Sequence, residues 1–382
     1  MHKHHEAILV LAVSLAARGA AAEQPRPRDA MTFPGEEWEV VAPAEEGMDA
    51  TLLTRAVEGL RRDMAAAKGN LDNALLIRRG RIVWQTEAAK DRKVEHIWSA
   101  AKSVASSVLG AMCDRNLCAL DTRIAEHLPE FAADYGRVTL RHCFTMTSAI
   151  RLERNRPIPP PYGEPGTVYG YCDGNISVGG RALETIGGRG LDALFAEYVG
   201  EPIGMRIHRW SPRIAAVGIH TSAHDLARLG HLFLNRGRWR DRQIISAEWV
   251  ALATRVQVPR EMPHVYGKHP KNPNTDTGRY GIAWWLNGVR PDGTRPYPDA
   301  PASVYKASGW QGNRMFVVPE WEVVFVVLQT KLQSPDDPRV FNAFLQRLRG
   351  ALPDPEPSGP TPTGTECVQE PPSAPRPLWH AG

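Results

Sequence analysis

The chain has 382 residues, of which 42% are hydrophobic and 23% are charged, and its formal net charge is +4. This is the composition of a globular protein that is long enough for one large domain or two lobes. Because the 46 basic residues are scattered, with no Lys/Arg block and no basic stripe interleaved with aromatic residues, the sequence predicts no nucleic-acid partner.

The N-terminus has the three parts of a signal peptide. Residues 1–5 include lysine and three histidines, residues 7–17 are apolar, and three alanines at 20–22 precede Glu23. The apolar part is much shorter than the roughly 20 residues that a membrane helix needs, and no later stretch approaches that length. The pattern therefore predicts a signal peptide at 1–22 and an exported bacterial protein, periplasmic or secreted, with no membrane span in the mature chain.

The rest of the chain alternates between strand-like and helix-like periodicity. Residues 74–84 predict a hairpin of two strands that turn at Gly80. The segment 150–166 is dense in proline and glycine and is predicted to be a loop, as is the polar segment 258–279. Helices are predicted at 52–67, from Ser99 to 112, at 140–149, 176–186, 190–199, 222–234 and 340–352, and late strands at 304–307, 314–318 and 323–328.

This order of elements predicts an α+β fold. Strands occur near both ends of the chain and helices fill its middle. The simplest packing therefore joins early and late strands in one antiparallel sheet flanked by helices, beside a mainly helical lobe. We expect one domain over residues 23–352. Residues 353–382 are rich in proline, glycine, threonine and serine and have little to bury, which predicts a disordered tail.

The five cysteines leave two interpretations open. In an exported protein, Cys113 with Cys118 and Cys143 with Cys172 are candidate disulfides. The odd count, with Cys367 as the fifth, fits isolated buried thiols equally well. The chain has neither a paired C-x-x-C motif nor an H-E-x-x-H motif, so we expect no metal and no cofactor.

The segment from Trp98 to Met112 contains the best candidate for a catalytic group. Its apolar residues recur at helical spacing, which predicts a buried helix that opens at or near Ser99. Residues three apart lie on one helix face, so Lys102 is expected one turn from the Ser99 hydroxyl. Serine needs an adjacent base to act as a nucleophile, and a desolvated lysine can accept a proton. The alternative interpretation makes Ser99 a helix N-cap and Lys102 a solvated side chain.

A second S-x-x-K sequence, from Ser303 to Lys306, tests how specific this spacing is. The residues around it predict a strand. Residues three apart in a strand face opposite sides, so this copy cannot form a Ser-Lys pair. The motif alone is therefore a weak signal.

Four further stretches resemble motifs of the serine β-lactamase and penicillin-binding-protein superfamily, in the same chain order. They most resemble the class C-like branch, which contains esterases, D-amino-acid peptidases and nylon-oligomer-type amidases. The resemblance covers about residues 40–350, and Ala149 stands where that branch usually has glycine. The four stretches are LRHCFTMTS at 140–148, PGTVYGYCDGN at 165–175, GIHTSAHDLAR at 218–228, and ASGWQGN at 307–313 followed by VVPE at 317–320.

The resemblance implies a role for each motif residue. Ser99 would be the acylated nucleophile, with Lys102 as its proton partner. Tyr171 would act with Lys102 as the general base and later protonate the leaving group. The backbone amides of Ser99 and Trp310 would form the oxyanion hole, where one donor contributes about 3 kcal/mol.

Two further departures from the family pattern bear on the substrate. The Tyr-x-Asn motif has Asp173 in place of its asparagine, and the substrate-binding role is carried to Asn175. The alternative for Asn175 is a turn residue or a helix N-cap. The Lys-Thr-Gly motif, which binds the carboxylate of a β-lactam, becomes Ala307-Ser308-Gly309. Lys306 is one residue out of register and is expected on the other face of its strand. The predicted substrate-binding residues are Asn175, Ser308, Gly309 and Gln311.

The motifs favour a serine hydrolase that cleaves a small-molecule ester, amide or peptide through an acyl-enzyme. Two alternatives stay open: a β-lactamase or D-alanyl peptidase, and a non-catalytic module that binds such ligands. An α/β-hydrolase finds little support, because the chain has no Gly-x-Ser-x-Gly elbow. Trp284, Trp285 and Tyr305 are candidates for the pocket wall, with core packing expected for two of them. The sequence leaves the oligomeric state undefined.

Overall fold

The structure is a computed structural model that describes residues 31–153, 156–211, 214–265, 276–332 and 338–353. The predicted signal peptide and the predicted tail beyond Pro353 lie outside the described residues. The strands, in chain order, are β1 (Asn73–Arg78), β2 (Arg81–Gln85), β3 (Val94–His96), β4 (Leu152–Glu153), β5 (Arg156–Pro157), β6 (Arg209–Trp210), β7 (Ile219–Ser222), β8 (Arg238–Trp239), β9 (Arg242–Gln243), β10 (Trp285–Leu286), β11 (Tyr305–Gly309), β12 (Asn313–Val318) and β13 (Val323–Leu328).

The helices are concentrated between β2 and β10, with one before β1 and one after β13. Within the described ranges, none of them is both long enough and apolar enough to cross a bilayer. They are α1 (Ala50–Ala66), α2 (Glu87–Lys90), α3 (Ala101–Asp114), α4 (Ala132–Tyr135), α5 (Leu140–Phe144), α6 (Asp173–Gly187), α7 (Leu191–Phe195), α8 (Glu201–Ile203), α9 (Ala223–Leu234), α10 (Ala247–Ala253) and α11 (Arg339–Ala351).

Six strands form the central antiparallel sheet, in the order β10-β11-β12-β13-β1-β2. Strand β1 lies between its sequence neighbour β2 and the late strand β13, with Leu75 opposite Val326. The chain turns between β1 and β2 at Gly80, whose φ of 85° is favourable for glycine alone. The structure thus confirms an antiparallel sheet built from early and late strands.

The sheet is covered on both faces, because alternate residues of its strands belong to two separate cores. On one face, Leu76 and Phe325 lie in a core that also contains side chains of α1 and α11. On the other face, Leu75 and Val326 share a core with α3 and α9. Each large apolar side chain buried in this way contributes about 1.5–3 kcal/mol relative to its exposure. Helix α3, which follows Ser99, is therefore fixed against the sheet by packing.

Two elements differ from the prediction. The helix predicted at 140–149 ends at Phe144, because Met146 and Ala149 adopt left-handed φ values of 64° and 56° that a right-handed helix excludes. The loop predicted at 150–166 contains the short antiparallel pair β4 and β5. The α+β architecture, with helices on both sides of the sheet and a helical lobe, is confirmed.

Candidate active site

A sharp turn carries the chain from β3 into α3, and Ser99 lies on it. Trp98 adopts a φ of 51°, a left-handed value that is rare for a bulky residue, and its ring packs 4.2 Å from the ring of His96. The 3₁₀ turn Trp98–Ala100 then leads directly into α3, and neither element uses Ser99 as its N-cap. Ser99 is therefore half-buried at the start of the predicted helix, with its hydroxyl available for another partner.

Lys102 is buried, with 2% of its surface exposed, and its amine has three partners. Nζ donates to Ser99 Oγ at 2.8 Å, to Asp173 Oδ1 at 2.6 Å and to the backbone oxygen of Ala216 at 3.0 Å. These bonds occupy all three N–H donors of an ammonium group. A buried charge needs a partner of opposite charge, and Asp173 supplies it. The interpretation of Lys102 as a solvated side chain is therefore wrong.

Two tyrosines precede α6, and their surroundings differ. Tyr169 is fully buried, and burial raises the pKa of its hydroxyl well above the usual value. Tyr171 is half-buried, and its ring centroid lies 5.2 Å from Lys102 Nζ. Within the described residues, the Tyr171 hydroxyl makes no hydrogen bond to Ser99 or Lys102. Of the two tyrosines, Tyr171 is the one that borders the Ser-Lys pair.

Tyr171 belongs to a group of packed aromatic rings. Its ring centroid lies 5.2 Å from that of Trp285 and 6.0 Å from that of Tyr280. Trp285 is half-buried, whereas Trp284 and Tyr305 are core residues with 0% and 4% exposure. Two of the three candidates for the pocket wall are thus core residues, as expected, and Trp285 is the one beside Tyr171.

Strand β11 ends against the turn that carries Ser99. A Cβ atom on Gly309 would lie 2.1 Å from the backbone oxygen of Ile97 and 3.2 Å from the nitrogen of Ala100, so this approach requires glycine. The next residue, Trp310, begins the 3₁₀ turn into β12, and 61% of its surface is exposed. The contact brings the Trp310 backbone close to the turn that carries Ser99, just before α3. An oxyanion hole built from these two amides needs that proximity.

Lys306 lies on the face of β11 that points away from α3. Its Nζ donates to the Tyr297 hydroxyl at 2.6 Å and lies 5.5 Å from the centre of the Phe316 ring. Phe316 belongs to the core shared with α1 and α11, whereas Ala307 belongs to the core shared with α3. The predicted change of face is confirmed: an alanine occupies the position where the family motif has its lysine.

Asn175 is buried in the first turns of α6, with 4% of its surface exposed. Its amide donates to the backbone oxygen of Gly170 at 2.9 Å, and its side-chain oxygen contacts the Ser148 hydroxyl. These bonds tie the tyrosine-bearing loop to the segment after α5. Ser308 and Gln311 are half-buried at the end of β11 and just after it. The substrate-binding roles of these residues stay predictions.

Asp173 is a site residue to which sequence reasoning assigns no role. Its carboxylate contacts the buried Lys102 amine, yet 59% of the side chain is exposed, so it borders both the amine and solvent. The sequence signal that could have assigned it a role is its position in the Tyr-x-Asn motif, where the family has asparagine. Ala216 contributes only a backbone oxygen, for which no side-chain signal exists. Across the described ranges, no group of three His, Cys, Asp or Glu residues is arranged to hold a metal ion.

Known proteins resemble this chain in sequence and in fold. A D-aminopeptidase of Cereibacter sphaeroides is 32% identical over 108 residues, which cover 23% of this chain and 21% of the relative, so the chain spans about a fifth of that protein. A solved penicillin-binding-protein homologue from Caulobacter crescentus has a TM-score of 0.62 at 17% identity, over 80% of this chain and 99% of its own. A family VIII carboxylesterase has a TM-score of 0.60 at 19% identity, over 79% and 99%.

At these identities the solved structures establish the fold alone. The sequence itself carries the family assignment, because a family model described as Beta-lactamase matches residues 61–347. That range contains the Ser99 turn, the tyrosine-bearing loop and strand β11. The chain belongs to the beta-lactamase family, a family of hydrolases.

Proposed function

We propose that this protein is a serine hydrolase that cleaves an ester or amide through an acyl-enzyme on Ser99. The observation that carries the proposal is the 2.8 Å contact between the Ser99 hydroxyl and the buried amine of Lys102. A buried cation at this distance stabilises the alkoxide that forms when the general base takes the serine proton. Membership of a hydrolase family supports the same chemistry.

In the proposed reaction, Ser99 Oγ attacks the substrate carbonyl while its proton passes to the side-chain oxygen of Tyr171, the general base. Lys102 assists as a cation, because its three N–H donors are engaged and leave no lone pair for that proton. The amides of Ser99 and Trp310 bind the oxyanion, at about 3 kcal/mol each. Collapse expels the alcohol or amine, which takes the proton from Tyr171. A water molecule then repeats these steps on the acyl-enzyme and releases the acid.

Ordinary esters and amides fit the proposed site better than β-lactams do. A β-lactam presents a carboxylate that the family's Lys-Thr-Gly lysine binds. Here Ala307 occupies that position, and Lys306 donates to Tyr297 on the other face of β11. The names of the relatives agree with this choice, since one protein of the same fold is a carboxylesterase and one matching relative is a D-aminopeptidase.

Intact-mass analysis after treatment with a fluorophosphonate, which labels activated serines, is the first test. We expect one adduct on the wild-type protein and none on Ser99→Ala. Ser303→Ala is the matched control, because Ser303 belongs to the second S-x-x-K sequence and its hydroxyl donates to Glu320. This control should be labelled like the wild type. A folded wild-type protein without an adduct, or a labelled Ser99→Ala, would contradict the proposal.

β-lactamase or D-alanyl peptidase activity is the second candidate, because Ser99, Lys102 and Tyr171 are all present. Turnover of a chromogenic cephalosporin that Ser99→Ala abolishes would favour it. No turnover at high enzyme concentration would set it aside. If neither probe nor substrate reacts, the chain is a non-catalytic module, and ligands are then to be sought by thermal shift.

A further inference from the structure

The carboxylate of Asp173 gives the site a charge that the family motif lacks. Asp173 is the first residue of α6, and its Oδ1 accepts from Lys102 Nζ at 2.6 Å. The side chain is 59% exposed, whereas that of Lys102 is 2% exposed. Asp173 therefore lies between the buried amine and solvent.

Replacing asparagine by aspartate changes which groups can bind at this position. An asparagine amide can donate to a substrate carbonyl, but an ionised aspartate can only accept hydrogen bonds. One oxygen of Asp173 is used by Lys102, and among the described contacts the other oxygen has no protein partner. A substrate group bound there must be a donor, and an ammonium group makes the strongest such bond.

The reach of Asp173 defines where that ammonium lies in the substrate. Ser99 Oγ and Asp173 Oδ1 both contact Lys102 Nζ, at 2.8 and 2.6 Å, so the carboxylate is within two hydrogen-bond lengths of the nucleophile. In the acyl-enzyme, the scissile carbonyl carbon is bonded to Ser99 Oγ. An amino group on the first or second carbon beyond that carbonyl can therefore reach the carboxylate.

The charges around the nucleophile agree with a cationic acyl group. The Lys102 ammonium alone would repel it, and Asp173 offsets that repulsion while offering an acceptor. Lys306 is held on the far face of β11 by Tyr297. Arg279, which stacks on Trp285 beside Tyr171, is paired with Asp276. Each of these cations thus has an acidic or phenolic partner, which weakens its electrostatic attraction for a substrate carboxylate.

We propose that Asp173 selects substrates whose acyl part carries a free α- or β-amino group, so that the preferred substrates are aminoacyl esters or amides. This inference rests on the proposed hydrolase function. It identifies Asp173 as a specificity-determining residue for that same site.

The test compares kcat/KM for alanine methyl ester and N-acetylalanine methyl ester, in both enantiomers, with p-nitrophenyl acetate as a neutral substrate. For at least one enantiomer, kcat/KM of the wild-type protein should be about tenfold or more higher for alanine methyl ester than for its N-acetyl derivative. A factor of this size corresponds to one charge-assisted hydrogen bond at a partly exposed site. Asp173→Asn should reduce this preference about tenfold. Asp121→Asn is the matched control, because Asp121 pairs with Arg141 outside the site, and it should keep the wild-type preference.

A pH profile separates recognition from a purely structural effect. The preference should decline as the substrate amine loses its proton, near pH 7.7–8.0 for an α-amino group. A wild-type preference for the N-acetyl esters, or an unchanged preference in Asp173→Asn, would overturn the inference while hydrolysis of p-nitrophenyl acetate still supports the hydrolase. If the wild-type protein hydrolyses none of the three substrates and forms no fluorophosphonate adduct, the proposed function itself is refuted.

Discussion

Replacing Gly309 by alanine should separate strand β11 from the turn that carries Ser99. The added Cβ would lie 2.1 Å from the backbone oxygen of Ile97, whereas ordinary contact begins at 3.4 Å. Both partners are backbone, so the strand must move by about 1 Å, and the Trp310 amide moves with it. Misplacement by that distance costs about 100-fold in rate, which equals about 2.7 kcal/mol of transition-state stabilisation.

The assay is kcat/KM for p-nitrophenyl acetate, with the free energy of unfolding measured by urea denaturation. Gly309→Ala should lose about 100-fold in kcat/KM and about 1–3 kcal/mol in stability, the usual effect of overpacking. Gly350→Ala is the control: nothing lies within 4 Å of its added Cβ in α11, so activity should be unchanged and stability equal or higher. If Gly309→Ala kept its activity within about threefold, the proposed oxyanion role of the Trp310 amide would be wrong.

Three further changes test other parts of the structure. Lys306→Met should keep activity within about twofold but lose about 1–3 kcal/mol of stability, because Tyr297 loses its 2.6 Å partner; a loss of catalysis at full stability would place Lys306 in the site. Ala149→Gly should raise the free energy of unfolding by about 1 kcal/mol, because Ala149 has a φ of 56°, and a fall in stability would contradict that reasoning. Burial lowers the pKa of His231 to about 4, so between pH 6.5 and 4 the unfolded chain binds a proton that the folded chain does not. The free energy of unfolding should therefore decrease as the pH is lowered from 6.5 to 4. His231→Gln should reduce this slope by about 1.4 kcal/mol per pH unit, and an unchanged slope in chemical denaturation would show that other groups cause it.

The features that local periodicity controls could be predicted from the sequence. The alternation of residues 74–84 and the glycine at position 80 define the first hairpin, because strand side chains alternate and φ is positive at the turn. The same two-residue period places Lys306 and Ala307 on opposite faces of β11. The Ser99–Lys102 pair follows from helical spacing in the same way.

Contacts between distant segments could not be predicted from local patterns. The bond between Lys102 and Asp173 joins α3 to α6, and no periodicity along the chain predicts a contact between two helices so far apart in sequence. The left-handed φ of Trp98 is imposed by the surrounding fold, since its own side chain disfavours it. The close approach of Gly309 to Ile97 depends on strand order, which only the assembled sheet defines.

The order of strands in the sheet also has a consequence for the protein's synthesis. Strand β1 is translated early, but its neighbour β13 is among the last elements of the fold to be made. Until that strand pairs, the edge of β1 that β13 covers in the complete sheet is open. A nascent or truncated chain that ends before Trp310 carries Ser99 and Lys102 without the Trp310 amide. On the proposed function, full hydrolytic activity therefore begins only after β11 and the Trp310 turn have been made.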